Sequence, residues 1–214
     1  MSERLNISGF CKIRNNNVFL NGDPVFSDSE TIQVNQFLKN NYRHFNINYP
    51  KFFKMDNLSK LGFLTAELLI NQHPQVKSIY PEQTGIVLSN SSSSLDTDFS
   101  FYDTIKDSAN YFPGPAVFVY TLPNIMIGEI CIRHKFTGEN VFFVSEQFNP
   151  KLIFHQVQYL FTFSNIQCCI TGWVELFNNN YDSFLCLIEK VKDNEAENKN
   201  SMFDEVNLFN IYKK

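Results

Sequence analysis

The sequence predicts an α/β protein: a mixed sheet of about five strands with helices packed against it. Three observations carry this expectation. Short apolar runs that suit strands alternate with longer stretches whose apolar residues recur at helical spacing. The run at residues 85–88 is apolar without alternation, as a strand buried on both faces requires. The last two strand-like runs flank the turn-prone Asn178, Asn179, Asn180, Tyr181 and Asp182, so the chain ends its sheet in a hairpin.

The elements follow in order. Residues 5–13 read as the first strand. Residues 28–40 read as a helix capped by Asp28 or Ser29, with Ile32, Gln36 and Phe37 at helical spacing. Asp56 or Asn57 caps a second helix that runs to about Asn71. Its Leu58, Leu61, Leu64, Ala66, Leu68 and Leu69 cover much of its circumference, so it is buried on most sides. After the 85–88 strand, Asn90 and the four serines Ser91 to Ser94 form a loop without the glycines and lysine of a phosphate cradle. Residues 96–107 read as a helix with Phe99, Tyr102 and Ile105 on one face. Pro113-Gly114-Pro115 and Pro123 are breaks, and residues 124–135 form the next helix. Residues 140–144 are a strand. Pro150 suits the first turn of a helix to about Phe163. Residues 167–176 and 183–191 are the closing strands.

Composition bounds the rest. The chain has 214 residues, 43% of them hydrophobic, enough for one sizeable core. A net charge of −4 with no basic stripe argues against non-specific nucleic-acid binding. Residues 1–10 lack the apolar core of a signal peptide, and no apolar run approaches a membrane span, so a cytoplasmic protein is expected. Cys11, Cys131, Cys168, Cys169 and Cys186 show no metal-ligand spacing, and no metal or other cofactor is expected. The cysteines read as free and mostly buried, Cys131 in mid-helix as core. Cys168 and Cys169, adjacent on a strand, face opposite sides. The expected organisation is one domain over residues 1–192, then a polar linker and a docking tail over 193–214.

A longer pattern carries a resemblance. It begins at Tyr120-Thr121-Leu122-Pro123-Asn124 and runs to Gly138-Glu139-Asn140, and is followed by Gly172-Trp173-Val174-Glu175. It resembles the β-ketoacyl-ACP synthases: a Leu-Pro-Asn helix, a Gly-Pro-Ser or Gly-Pro-Asn turn, a short strand, Thr-Ala-Cys, a helix, and a strand with Gly-Gly-Val-Glu. The spacing from Gly138 to Glu175 matches that family without a gap. Met55-Asp56 before a helix and Gly85 to Ser91 match two further segments. The resemblance covers about residues 5–191. It implies the N-terminal half of a thiolase-like fold, similar to the short ketosynthase-like proteins of aryl-polyene and flexirubin-type systems.

The resemblance also implies where chemistry fails. The register lays Ser145-Glu146-Gln147 on Thr-Ala-Cys, so Gln147 stands at the nucleophile position. An amide cannot form the acyl thioester, and Glu146 puts a negative charge where a thiolate would be needed. The family's two catalytic histidines belong to a C-terminal half that this sequence does not match. His44, His73, His134 and His155 lie outside any such motif. Ser145 lacks a nucleophile elbow and partners for a hydrolase. Two readings of Gln147 stand, a side chain selected to fill the thiol's place and a position left by decay.

The function implied is a non-catalytic subunit that partners a full-length β-ketoacyl-ACP synthase, with acyl carrier protein as a further contact. The alternative is an acyl transferase or condensing enzyme with an unrecognised nucleophile. A homodimer is the alternative assembly, because the apolar helices at 58–70 and 148–163 suggest faces left without cover.

Overall fold

The computed structural model of the protein describes residues 4–31, 33–191 and 201–214. Among these the sheet has seven strands, not five: β1 (Leu5–Arg14), β2 (Asn17–Leu20), β3 (Asp23–Ser27), β4 (Thr84–Asn90), β5 (Asn140–Val144), β6 (Cys168–Phe177) and β7 (Asn180–Lys190). Their order is β3-β2-β1-β7-β6-β4-β5. The two added strands form a hairpin ladder with β1. Asn15-Asn16 and Asn21-Gly22 join them, all four residues at positive φ, as a two-residue hairpin turn of matching twist requires. Asn178-Asn179 makes the same kind of turn between β6 and β7.

The helices are α1 (Val34–His44), α2 (Asn57–Gln72), α3 (Leu95–Asp103), the single turn α4 (Pro115–Phe118), α5 (Ile125–His134), α6 (Pro150–Phe163) and α7 (Glu205–Lys213). β4 pairs in parallel with both β5 and β6, which puts helical crossovers between them, whereas β1, β6 and β7 pair antiparallel.

The expected helix at 28–40 starts six residues late, and Ile32 lies outside the described residues. Asp28 does not cap it. Its carboxylate instead accepts from Thr31 Oγ1 and Asn40 Nδ2, both 2.7 Å away, which lowers its pKa and holds this stretch as a turn. The first free N–H of α1, from Val34, is bound by Asn179 Oδ1 at 2.7 Å. Asp56 does cap α2, accepting from Ser59 N at 2.9 Å.

Two apolar layers flank the sheet. On one face α1, α2 and α5 pack over Cys168, Ile170, Leu185 and Leu187. On the other, α6 and α7 pack over Val87, Cys169, Trp173 and Phe184. Cys168 and Cys169 thus do face opposite sides. Cys131, expected in the core, is only half-buried, because the buried face of α5 is Met126, Ile127, Glu129 and Ile130.

The expectation of an uncovered α2 is corrected. Every residue from Leu58 to Ile70 is buried within the chain itself, between the sheet, α1 and α5. The exposed apolar residues lie elsewhere: Phe99, Tyr102, Phe112, Phe118 and Leu122 between β4 and α5, and Tyr159 and Phe163 on α6. The face expected from Phe99 and Tyr102 is therefore outward, and α3 ends at Asp103 rather than at residue 107. No single helix among the described residues is long and apolar enough to cross a membrane. The proposed linker at 193–200 lies outside the described residues.

Candidate functional site

The parallel strands β4, β5 and β6 end together, and three loops leave from these carboxyl ends. In open α/β sheets this is where ligands and catalytic groups collect. The first loop is the serine run after β4. Asn90 is fully buried there and clamps it from both sides, donating to Ser93 O at 2.8 Å and accepting from Ser93 N at 2.9 Å. Glu175, near the end of β6, completes the clamp: its Oε2 accepts from Ser91 N at 2.6 Å and from Ser92 N at 3.1 Å. What reads in sequence as a plain loop is thus a turn whose amides are bound by a carboxylate three residues beyond Gly172 on the neighbouring strand.

The second loop holds Ser145, Glu146 and Gln147 between β5 and α6. Ser145 N donates to Asn90 O at 2.9 Å, which ties this loop to the first. Ser145 Oγ donates to the carbonyl of Gln147 at 3.0 Å, so the hydroxyl is engaged. Glu146 and Gln147 are exposed. Phe148 is the anchor below them. It is buried against Trp173 (6.2 Å between ring centroids), Phe184 (5.7 Å) and Tyr212 of α7 (4.5 Å). Gln147 lies two residues ahead of Asn149, whose side chain caps α6 by accepting from Leu152 N at 3.0 Å. The helix N-terminus is therefore closed by its own cap and by Pro150, which has no N–H to offer.

The five thiols offer this loop no substitute nucleophile. Cys11, Cys168, Cys169 and Cys186 are buried, and burial pushes their thiols up, far from a thiolate; half-buried Cys131 moves the same way. The histidines are dispersed. His134 Nε2 lies 3.1 Å from Glu67 on the far side of the sheet, and His155 on α6 faces Glu205 at 3.9 Å. His44 packs on Phe26 and Phe45, and His73 sits against Gly9.

Two glycines quoted from the sequence pattern have clear structural reasons. A Cβ on Gly172 would lie 2.0 Å from the Phe184 carbonyl oxygen, at a φ of +150°. A Cβ on Gly138 would lie 2.3 Å from the Thr84 carbonyl oxygen. Each lets two backbones approach where any side chain would collide.

No protein-family model matches the sequence, and no curated protein matches it. Solved structures do match. The ishigamide ketosynthase/chain length factor superposes with a TM-score of 0.61 at 13% identity, over 90% of this chain and 63% of that one. The fold is that of the ketosynthases. A ketosynthase in complex with its type II polyketide acyl-carrier protein matches with a TM-score of 0.61 at 12% identity, over 88% of this chain and 62% of that one. The ketosynthase ApeO in complex with its chain length factor ApeC, from Xenorhabdus doucetiae, gives 0.56 at 11% identity, over 89% and 80%. The chain thus spans about three-fifths of the first two ketosynthase-fold chains, but four-fifths of the one matched in the Xenorhabdus complex.

Proposed function

We propose that this chain is a ketosynthase-like subunit that does not itself catalyse condensation. It partners a full-length β-ketoacyl-ACP synthase in fatty-acid-like, polyketide or aryl-polyene synthesis. One observation carries the reading: on a ketosynthase fold, the loop that leads into α6 presents Ser145-Glu146-Gln147 and no thiol, while four of the five cysteines are buried, Cys131 is half-buried on α5, and burial raises the pKa of all five thiols. Gln147 is then the residue at the nucleophile position. Thioester formation there would require a thiolate, and neither an amide nor a neighbouring carboxylate can supply one.

The partner follows from fold and surface together. The solved relatives include ketosynthases assembled with a chain length factor and with an acyl-carrier protein. β5 is the last strand of the sheet, and its Val144 is 58% exposed. A free edge of the sequence Asn-Val-Phe-Phe-Val is a ready site for pairing with another chain. The exposed Phe99, Tyr102, Phe112, Phe118 and Leu122 add apolar side chains of the kind that mark interaction surfaces. We assign the ketosynthase to this surface, with Gln147 near the contact and acyl carrier protein reaching the assembly through the ketosynthase.

The test is acyl transfer. The isolated chain is incubated with carrier protein bearing a radiolabelled acyl group, then with malonyl carrier protein. No covalent label and no ketoacyl product are expected. Label retained on this chain, or a ketoacyl product, would show that it is an enzyme in its own right.

A further inference from the structure

A concave feature lies on the sheet face that carries α7, on the β1–β2 hairpin. Strand alternation puts Phe10, Lys12 and Arg14 of β1 on that face. α7 covers only part of it. A cavity of about 610 Å³ remains between hairpin and helix end, lined by Phe10, Lys12, Arg14, Asn17, Phe19 and Lys214 among others. This size lies within the range of small-molecule pockets.

The charge inside is unusual for a protein with net charge −4. Lys12 is only 4% exposed. Its ammonium donates to the Ile211 carbonyl at 2.5 Å and sits over the ring of Phe10 at 5.1 Å, which leaves donors over. The Arg14 guanidinium stacks on Tyr212 at 5.0 Å. Its Nε lies 3.0 Å from Asp182 Oδ1 but is not aligned for a hydrogen bond, and its buried Nη2 has no hydrogen-bond partner. Asp182 is shared, because its Oδ2 accepts from Tyr212 Oη at 2.6 Å. Three cations therefore converge where one carboxylate side chain is ion-paired. Burial, then the charges of Arg14 and Lys214, pulls the Lys12 ammonium down to about 8, against the opposing pull of Asp182. Lys12 is the buried cation of the three with no carboxylate bound to it, and a cavity that keeps such a charge beside Arg14 and the exposed Lys214 is organised for an anion.

We propose that this cavity binds a phosphate ester, its dianionic head held by Lys12, Arg14 and Lys214 and its organic group laid on Phe10 and Phe19. A phosphate is opposite in charge to the cations gathered here, and the planar guanidinium with a free Nη2 suits a phosphate oxygen. The aromatic pair beside it favours an ester over the bare ion.

Titration calorimetry on the full chain tests this, with phenyl phosphate, inorganic phosphate and chloride compared at equal ionic strength. Saturable binding of both phosphates is expected, several-fold tighter for phenyl phosphate, with no heat from chloride beyond dilution. Lys12→Met and Lys214→Ala should each weaken phenyl phosphate, the first by about ten-fold or more. Lys106→Met, an exposed change in the loop after α3, should leave it unchanged. Lys214 is exposed, so its variant stays informative even if Lys12→Met fails to fold. Absence of saturable phosphate binding would overturn the proposal, as would binding indifferent to both cavity variants. Equal affinity for the ester and the bare ion would overturn the ester assignment.

Discussion

Restoring the missing thiol is the sharpest perturbation of the candidate site, and its outcome can be worked from the geometry. In Gln147→Cys the new thiol stands on an exposed bend, two residues ahead of the α6 cap. A helix N-terminus can favour an anion by ~0.3–1 kcal/mol, and up to ~2 kcal/mol in partly buried geometries, within the first turn only. Here that stabilisation is largely withheld. Asn149 Oδ1 already takes the Leu152 amide, Pro150 offers none, and residue 147 is outside the turn. Two kcal/mol would correspond to a pKa depression of roughly 1.5 units at ~1.36 kcal/mol per unit. Without it, and with the Glu146 carboxylate adjacent in sequence, the thiol should titrate at about 8.5 or above. At pH 7 only a few per cent would then be thiolate. The assay is the rate of iodoacetamide alkylation against pH, with the parent chain run alongside to subtract the half-buried Cys131, followed by loading with acyl carrier protein. A midpoint at or above about 8.5 and no stable acyl-enzyme are expected. A midpoint below about 7, or a ketoacyl product from this single change, would refute the reasoning.

Three further outcomes follow. Asp56 is half-buried, and its desolvation raises its pKa against the pull of its hydrogen bonds from Ser59 and Thr97. Asp56→Asn keeps the cap without the desolvated charge and should be near neutral, whereas Asp56→Ala should cost about 1–2 kcal/mol by urea unfolding. Glu67 is buried, but hydrogen bonds and charge from His134 and Arg133 outweigh burial and hold its carboxyl at about 2 against an ordinary 4.5. A depressed folded-state pKa stabilises above the unfolded value and is lost as pH falls from about 4.5 through about 2, by on the order of 3 kcal/mol. Glu67→Gln should flatten the stability-versus-pH curve across that window, and an unchanged slope would contradict the assignment. Gly172→Ala should destabilise by on the order of 3 kcal/mol, because its Cβ meets the backbone of β7; a thermal midpoint equal to the parent's would contradict this.

Much of the architecture was legible where local signals agreed. β5 and α6 begin and end where the sequence placed them, since Pro150 and Asn149 mark the helix start and the Asn-Val-Phe-Phe-Val run has no competing period. The β2–β3 hairpin was missed although Asn21-Gly22 is a strong hairpin signal, because its strands are only four and five residues long. α1 was started too early because Asp28 satisfies a turn as readily as a helix cap, and the actual partner of the first amide, Asn179, is remote in sequence. Helical spacing said that α2 is apolar all round but not what surrounds it; only the packing shows that the cover comes from α1, α5 and the sheet. Of the pattern that placed the candidate site, Gly138 and Gly172 prove to be required by close backbone approaches. The clamp of Glu175 on the serine loop depends on strands brought together across more than eighty residues, which no local period encodes. The cation cavity was not legible, because Lys12 and Arg14 alternate with the apolar Cys11 and Ile13 and read as a polar face until the register shift between Ile7 and Gly9 is seen.

Native mass spectrometry of this chain co-expressed with a co-encoded full-length ketosynthase, after exposure to acyl carrier protein bearing an acyl group, tests the central claim most directly. The account predicts one complex containing both chains, with the acyl mass on the ketosynthase and this chain at its unmodified mass. A lone monomer at micromolar concentration, or the acyl mass on this chain, would contradict it.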